Sequence, residues 1–124
     1  KDHYIDQLAV VGDRQKFVSA IVVPAFENLH EFAERKKLQF QNREELIKLP
    51  EVVEFYTQRI REQSLSLAPF EKIKRFTLVA KEFSSQAGEI TPTLKLRRKV
   101  IAEKYHQLIE RMYKGDAKGV DPAD

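Results

Sequence analysis

Lys95, Arg97, Arg98 and Lys99 stand almost side by side where apolar spacing begins its last helical run. A helix N-terminus already presents unpaired N–H groups and the positive end of the macrodipole, so each cation there opposes local electrostatics by roughly 0.3–1 kcal/mol. Places where local rules fail are often functional, and an anionic ligand would resolve this conflict. The blander alternative is a solvated basic face, helped by Glu103 four positions after Lys99; basic helical clusters are usually that. Thr91-Pro92-Thr93 precedes the cluster. Thr91 and Pro92 suit a cap and a first helical residue, or the helix begins later and leaves Lys95 on a loop. Spacing alone does not choose.

Other chemistries are closed or weak. There is no cysteine, hence no disulfide, thiolate nucleophile or Cys-ligated zinc. His3, His30 and His106 have no metal-ligand spacing with one another or with acidic residues, so no metal site is expected. Phe and Tyr recur as packing stripes. Lys and Arg total 22 against 19 Asp and Glu, a net charge of +3, too balanced to argue for a nucleic-acid partner.

The elements that must position the cluster follow from periodicity. Gln7–Val11 and Phe17–Val23 are β-branched runs separated by Gly12-Asp13-Arg14-Gln15-Lys16, which predicts an antiparallel hairpin. Phe26, Leu29, Phe32 and Ala33 predict an amphipathic helix. Asn42 with Glu45 resembles a capping box, and Pro50 suits the first turn of a third helix carrying Val52, Val53, Tyr56 and Ile60, stopped by or before Pro69. Ile73–Ala80 reads as a third strand. Leu96, Val100, Ile101, Tyr105, Leu108, Ile109 and Met112 predict one last helix. The sum is an α+β fold, a small, mainly antiparallel sheet (hairpin plus third strand) packed with helices. Residues 1–113 form one domain and 114–124, with Gly115, Gly119 and Pro122, a flexible tail.

The 124 residues suffice for one packed core. The longest apolar stretch, around Ala20–Val23, is far shorter than the ~20 residues of a membrane span, and the N-terminus lacks a signal-peptide pattern. A cytoplasmic location is expected. The abrupt start at Lys1-Asp2-His3-Tyr4 is read as the beginning of an excised piece.

Gly88-Glu89-Ile90-Thr91-Pro92-Thr93-Leu94-Lys95-Leu96-Arg97-Arg98-Lys99-Val100-Ile101 resembles the C-terminal signature of long-chain acyl-CoA synthetases, a branch of the adenylate-forming enzymes. Tyr4–Asp13 and Phe17–Pro24 are similar to that family's C-terminal hairpin, and Leu67–Phe76 to the segment entering its next strand. Many superfamily members have Ser-Gly before the catalytic lysine; Thr93-Leu94 stands there in this chain, a form similar to the long-chain branch.

The resemblance implies a mobile C-terminal lid whose partner is an N-terminal AMP-binding domain of the same polypeptide, absent here with its hinge. That domain would hold most of ATP, Mg2+ and the fatty acid, and coenzyme A would be the second substrate. By motif position the resemblance makes Lys95 the lysine that serves adenylation, before the lid rotates for thioester formation. Arg97, Arg98 and Lys99 are weaker candidates for phosphate or coenzyme A contact. The fragment alone is expected to be inactive. Acetylation of Lys95 would neutralise its charge. No transmembrane segment or nucleic acid is expected, and peripheral membrane association of the full-length enzyme is left open. Two alternatives stand beside this reading: a medium-chain or aryl-CoA ligase lid, or a non-enzymatic module docking its basic helix on RNA or a membrane surface.

Overall fold

The computed structural model describes residues 2–12, 15, 17–63 and 73–114. Strands β1 (Ile5–Val11) and β2 (Val18–Pro24) pair antiparallel as expected, from Ile5↔Pro24 to Val11↔Ser19, with a register shift between Ile5 and Gln7. In the connection the Gln15 amide donates to the Gly12 carbonyl at 3.0 Å; Asp13, Arg14 and Lys16 lie outside the described residues. Gly12 has φ 93°, and a Cβ there would run into the Tyr113 hydroxyl. Backbone conformation and close approach both call for glycine.

β2 is the central strand, and Ser19 to Pro24 are all buried. Burial of successive residues, rather than alternate ones, means that both faces are covered. The third strand, β3 (Ile73–Leu78), stops short of the expected Ala80 and runs parallel to β2, from Val18↔Ile73 to Val22↔Leu78. The α+β class stands, but the sheet is mixed, with one antiparallel and one parallel pair. The chain between β2 and β3 carries helices and is long enough for the crossover that a parallel pair requires. An apolar strand pattern reads the same in either direction.

That crossover contains α1 (Phe26–Arg35), α2 (Arg43–Leu46) and α3 (Pro50–Gln63). α1 buries the predicted Phe26, Leu29, Phe32 and Ala33. Asn42 caps α2 by accepting from the Glu45 amide at 2.9 Å, while Glu45 reaches back to the Gln41 amide at 3.0 Å, one residue past the Asn42 amide that a reciprocal box would use. Phe32 and Phe55 stack at 4.0 Å and join α1 to α3. The buried Tyr56 hydroxyl donates to the Tyr4 carbonyl at 2.8 Å, tying α3 to the start of the sheet. Asp2, also buried, accepts from the Tyr4 amide, Arg59 and Gln63. The predicted stop at Pro69 lies outside the described residues, as does Leu67–Lys72 of the family-like segment.

The last apolar stripe is two helices, not one: α4 (Arg98–Lys104) and α5 (His106–Tyr113), parted at Tyr105 with ψ 24°. α4 packs on β1 and α5 on β3, the two edges of the sheet. A single displaced residue re-aims the chain between those edges while Ile101 and Met112 both stay buried. Apolar spacing does not register so short a break. Lys114 caps α5, and the remainder of the expected tail lies outside the described residues. Among the described residues no helix is long and apolar enough to cross a membrane.

Candidate functional site

Lys95 stands on a loop whose two ends are fastened to β1. After β3, the Gln7 side chain accepts from the Phe83 amide at 2.8 Å and donates to the Phe83 carbonyl at 3.4 Å, imitating a strand partner. At the far end, the Arg98 guanidinium donates to the Val10 carbonyl at 2.7 Å. Between these anchors Glu89 is 1% exposed. Its carboxylate accepts from the Ser84 amide at 2.9 Å and from the Lys104 ammonium at 2.7 Å. Its carbonyl accepts from the Arg97 amide at 2.8 Å, closing the base of the loop. The hydrogen bond to Glu89 raises the Lys104 pKa above the ordinary lysine value.

Above that base the chain forms a small hairpin. Ile90 and Leu96 make an isolated antiparallel bridge. The Thr91 amide donates to the Lys95 carbonyl at 2.8 Å, and the Lys95 amide donates back to the Thr91 hydroxyl at 3.0 Å. Pro92, Thr93 and Leu94 form the tip, where the Leu94 amide donates to the Thr91 carbonyl at 2.8 Å and Leu94 takes φ 67°. Loops of this length commonly end in a left-handed residue. The backbone of Lys95 is thus held on both sides while its side chain is exposed, leaving a positioned ammonium on a flexible stem that a phosphate could reach.

The helix therefore starts at Arg98, and Lys95 is a loop residue, the second of the two arrangements the sequence allowed. The basic cluster divides. Arg98 is employed by the fold through Val10, which answers part of its misplacement without an anion. Arg97 is the N-cap residue and is exposed, as is Lys99. Arg98 and Lys99 border an open cleft of about 500 Å³ with Gly12, His106 and Glu110, a lining of mixed sign that does not include Lys95. Among the described residues no three His, Asp or Glu side chains are grouped so as to hold a metal ion.

Sequence reasoning assigned no role to Gln7 or Glu89. Phe83 lies 76 positions from Gln7, and Ser84 and Lys104 lie 5 and 15 from Glu89; no local pattern marks such pairings.

The profile of the AMP-binding enzyme C-terminal domain matches residues 1–117. The chain belongs to this family. A long-chain-fatty-acid–CoA ligase of Mycobacterium tuberculosis is 30% identical over 110 residues, 88% of this chain and 18% of the relative. The Drosophila melanogaster long-chain-fatty-acid–CoA ligase heimdall is 43% identical over 67 residues, covering 54% of this chain and 10% of its own. The adenylation domain of a carboxylate reductase from Mycobacterium chelonae has the same fold, with TM-score 0.60 at 21% identity over 90% of this chain and 16% of that one. This AMP-binding enzyme C-terminal domain spans less than a fifth of each of these proteins. Within it, the locked Lys95 hairpin and its Glu89 base are built from the same stretch, Gly88–Ile101, that carried the resemblance.

Proposed function

We propose that this domain is the mobile C-terminal part of an ATP-dependent long-chain fatty acid:coenzyme A ligase, and that Lys95 serves its adenylation step. The observation that carries the reading is an exposed lysine held at backbone level by Thr91, on the hairpin of a loop that is anchored to β1 at both ends. The family match supplies the class of enzyme, and the ligases among the relatives favour the long-chain acyl substrate.

In the proposed reaction a fatty-acid carboxylate oxygen attacks the α-phosphorus of ATP. The bond to pyrophosphate breaks, giving acyl-adenylate. Two anions must approach, and negative charge spreads over the phosphoryl oxygens in the transition state, so an ammonium fixed nearby lowers the barrier. Lys95 is suited to this as a point charge that reaches across a domain boundary. ATP and Mg2+ would be held mainly by a larger N-terminal domain. In the second step the coenzyme A sulfur attacks the acyl carbonyl and AMP departs, a step for which the small domain turns Lys95 away. Arg97 and Lys99, exposed on the flank of the loop, are offered as secondary phosphate contacts, and Arg98 as an anchor of the arm.

The test is Lys95→Ala in the full-length protein that carries this domain, with the two half-reactions measured separately. Adenylation should fall by about 10²–10³-fold, the usual effect of removing one electrostatic stabiliser. Thioester formation from preformed acyl-adenylate should change little. Equal adenylation by variant and parent would remove Lys95 from the mechanism.

A further inference from the structure

Leu94 is the one large apolar side chain exposed among the described residues, with 76% of its surface open. It also occupies φ 67°, a region that disfavours a side chain and suits glycine or asparagine. A three-residue hairpin loop ending in a left-handed residue ordinarily places glycine there. Lys37, the other non-glycine residue at positive φ among those described, follows the C-cap Lys36 of α1 and is exposed, a common helix termination. Leucine at 94 goes against both backbone preference and solvent preference. Single surface leucines need no explanation on exposure alone. A strained one beside the proposed functional lysine does.

We infer that Leu94 is a positioning residue that docks on the large adenylation domain when the lid closes for adenylation, seating in an apolar recess beside the nucleotide phosphates. This rests on the proposed role of Lys95. The occupant follows from the geometry. Thr91 and the anchors on β1 hold Leu94 and Lys95 on one stiff hairpin, so whatever body receives the lysine meets the leucine as well. The domain makes up 18% of the length of the ligase it matches, and the remainder of such a polypeptide is the body available to close upon. An apolar contact at this place excludes water around the ammonium, which strengthens its attraction for phosphate. It also fixes how far the loop enters.

The experiment compares Leu94→Gly, Leu94→Asn and Leu94→Met with Lys95→Ala in the full-length protein, measuring both half-reactions and the melting temperature. Glycine and asparagine relax the left-handed backbone, so their melting temperatures should hold or rise while adenylation falls about tenfold or more and thioester formation is spared. Methionine keeps an apolar chain and should retain adenylation within a few-fold. A structural role alone predicts the opposite coupling, with activity following stability. Wild-type adenylation by both Leu94→Gly and Leu94→Asn, alongside its loss in Lys95→Ala, would overturn the docking role and leave the lysine role standing. Unchanged adenylation in Lys95→Ala would overturn the reading beneath it.

Discussion

Thr91 and Lys95 hold each other by two hydrogen bonds, the Thr91 amide to the Lys95 carbonyl at 2.8 Å and the Lys95 amide to the Thr91 hydroxyl at 3.0 Å. The second depends on a side chain, so it can be removed without touching the fold's core. Thr91→Val keeps the shape and deletes the hydroxyl. Water can replace an exposed hydrogen bond, so the melting temperature should barely move, a loss of roughly 0.5 kcal/mol or less. Adenylation by the full-length protein should nevertheless fall about tenfold, because a small displacement of a positioned charge is costly in rate. Unaltered adenylation would show that the hydroxyl is dispensable.

The buried Glu89 should matter chiefly to stability. Glu89→Ala leaves the Ser84 amide without its acceptor and separates Lys104 from its counter-charge. The Lys104 side chain is 39% exposed, so water takes up part of the loss, and a cost of about 1–3 kcal/mol is expected rather than that of a wholly buried pair. Denaturant unfolding of the 124-residue chain measures it. Glu89→Gln, which retains an acceptor for Ser84, should cost less than Glu89→Ala.

Alkaline pH should weaken the fold through Tyr56 and Lys104. Burial, followed by the neighbouring Asp2 charge, pushes the Tyr56 hydroxyl above the ordinary tyrosine value, and the Glu89 hydrogen bond raises Lys104. Both groups therefore bind their protons more tightly when folded than when unfolded. Their stabilisation is complete below the unfolded values, roughly 10 for each, and is lost as pH rises from there through the folded ones. Melting temperature should be insensitive to these groups between about pH 7 and 9 and decline above about 10. Tyr56→Phe should cost about 1 kcal/mol at neutral pH through the lost bond to Tyr4 and flatten the alkaline decline. A decline of unchanged steepness would assign it elsewhere.

Gly12→Ala should displace Tyr113, which stacks on Phe17 at 4.6 Å and donates to the Phe17 carbonyl at 2.6 Å. The expected cost is about 1–3 kcal/mol, from steric overlap together with a side chain at positive φ. In Gly12→Ala combined with Tyr113→Ala the effects should sum to less than the two singles, since the overlap partner is gone. Full additivity would show that the two sites do not couple.

The hairpin, the amphipathic α1, the Asn42 cap and the start of α3 at Pro50 were legible because each is encoded by residues within a turn or two of one another. The motif and the electrostatic oddity of its neighbourhood put Lys95 forward, and the structure adds that it is exposed on a hairpin rather than on the helix. The division of the basic cluster was not. Arg97, Arg98 and Lys99 look alike as residues, and it is the approach of Val10, 88 positions from Arg98, that ties Arg98 to β1.

By itself the sequence determined which residues share a face, where chains of apolar side chains must be buried, and which lysine the family-like segment puts forward. Those are matters of period and composition, with repeats of about two and 3.6 residues written along the chain. The tertiary structure decided that β3 runs parallel to β2, that the last helix breaks at Tyr105 to follow both sheet edges, and that Gln7, Glu89 and Arg98 carry the Lys95 loop. The physical reason is that strand direction and hydrogen bonds between distant residues depend on how elements meet in space, and pairing at long separation leaves no periodic trace in the residues that make it.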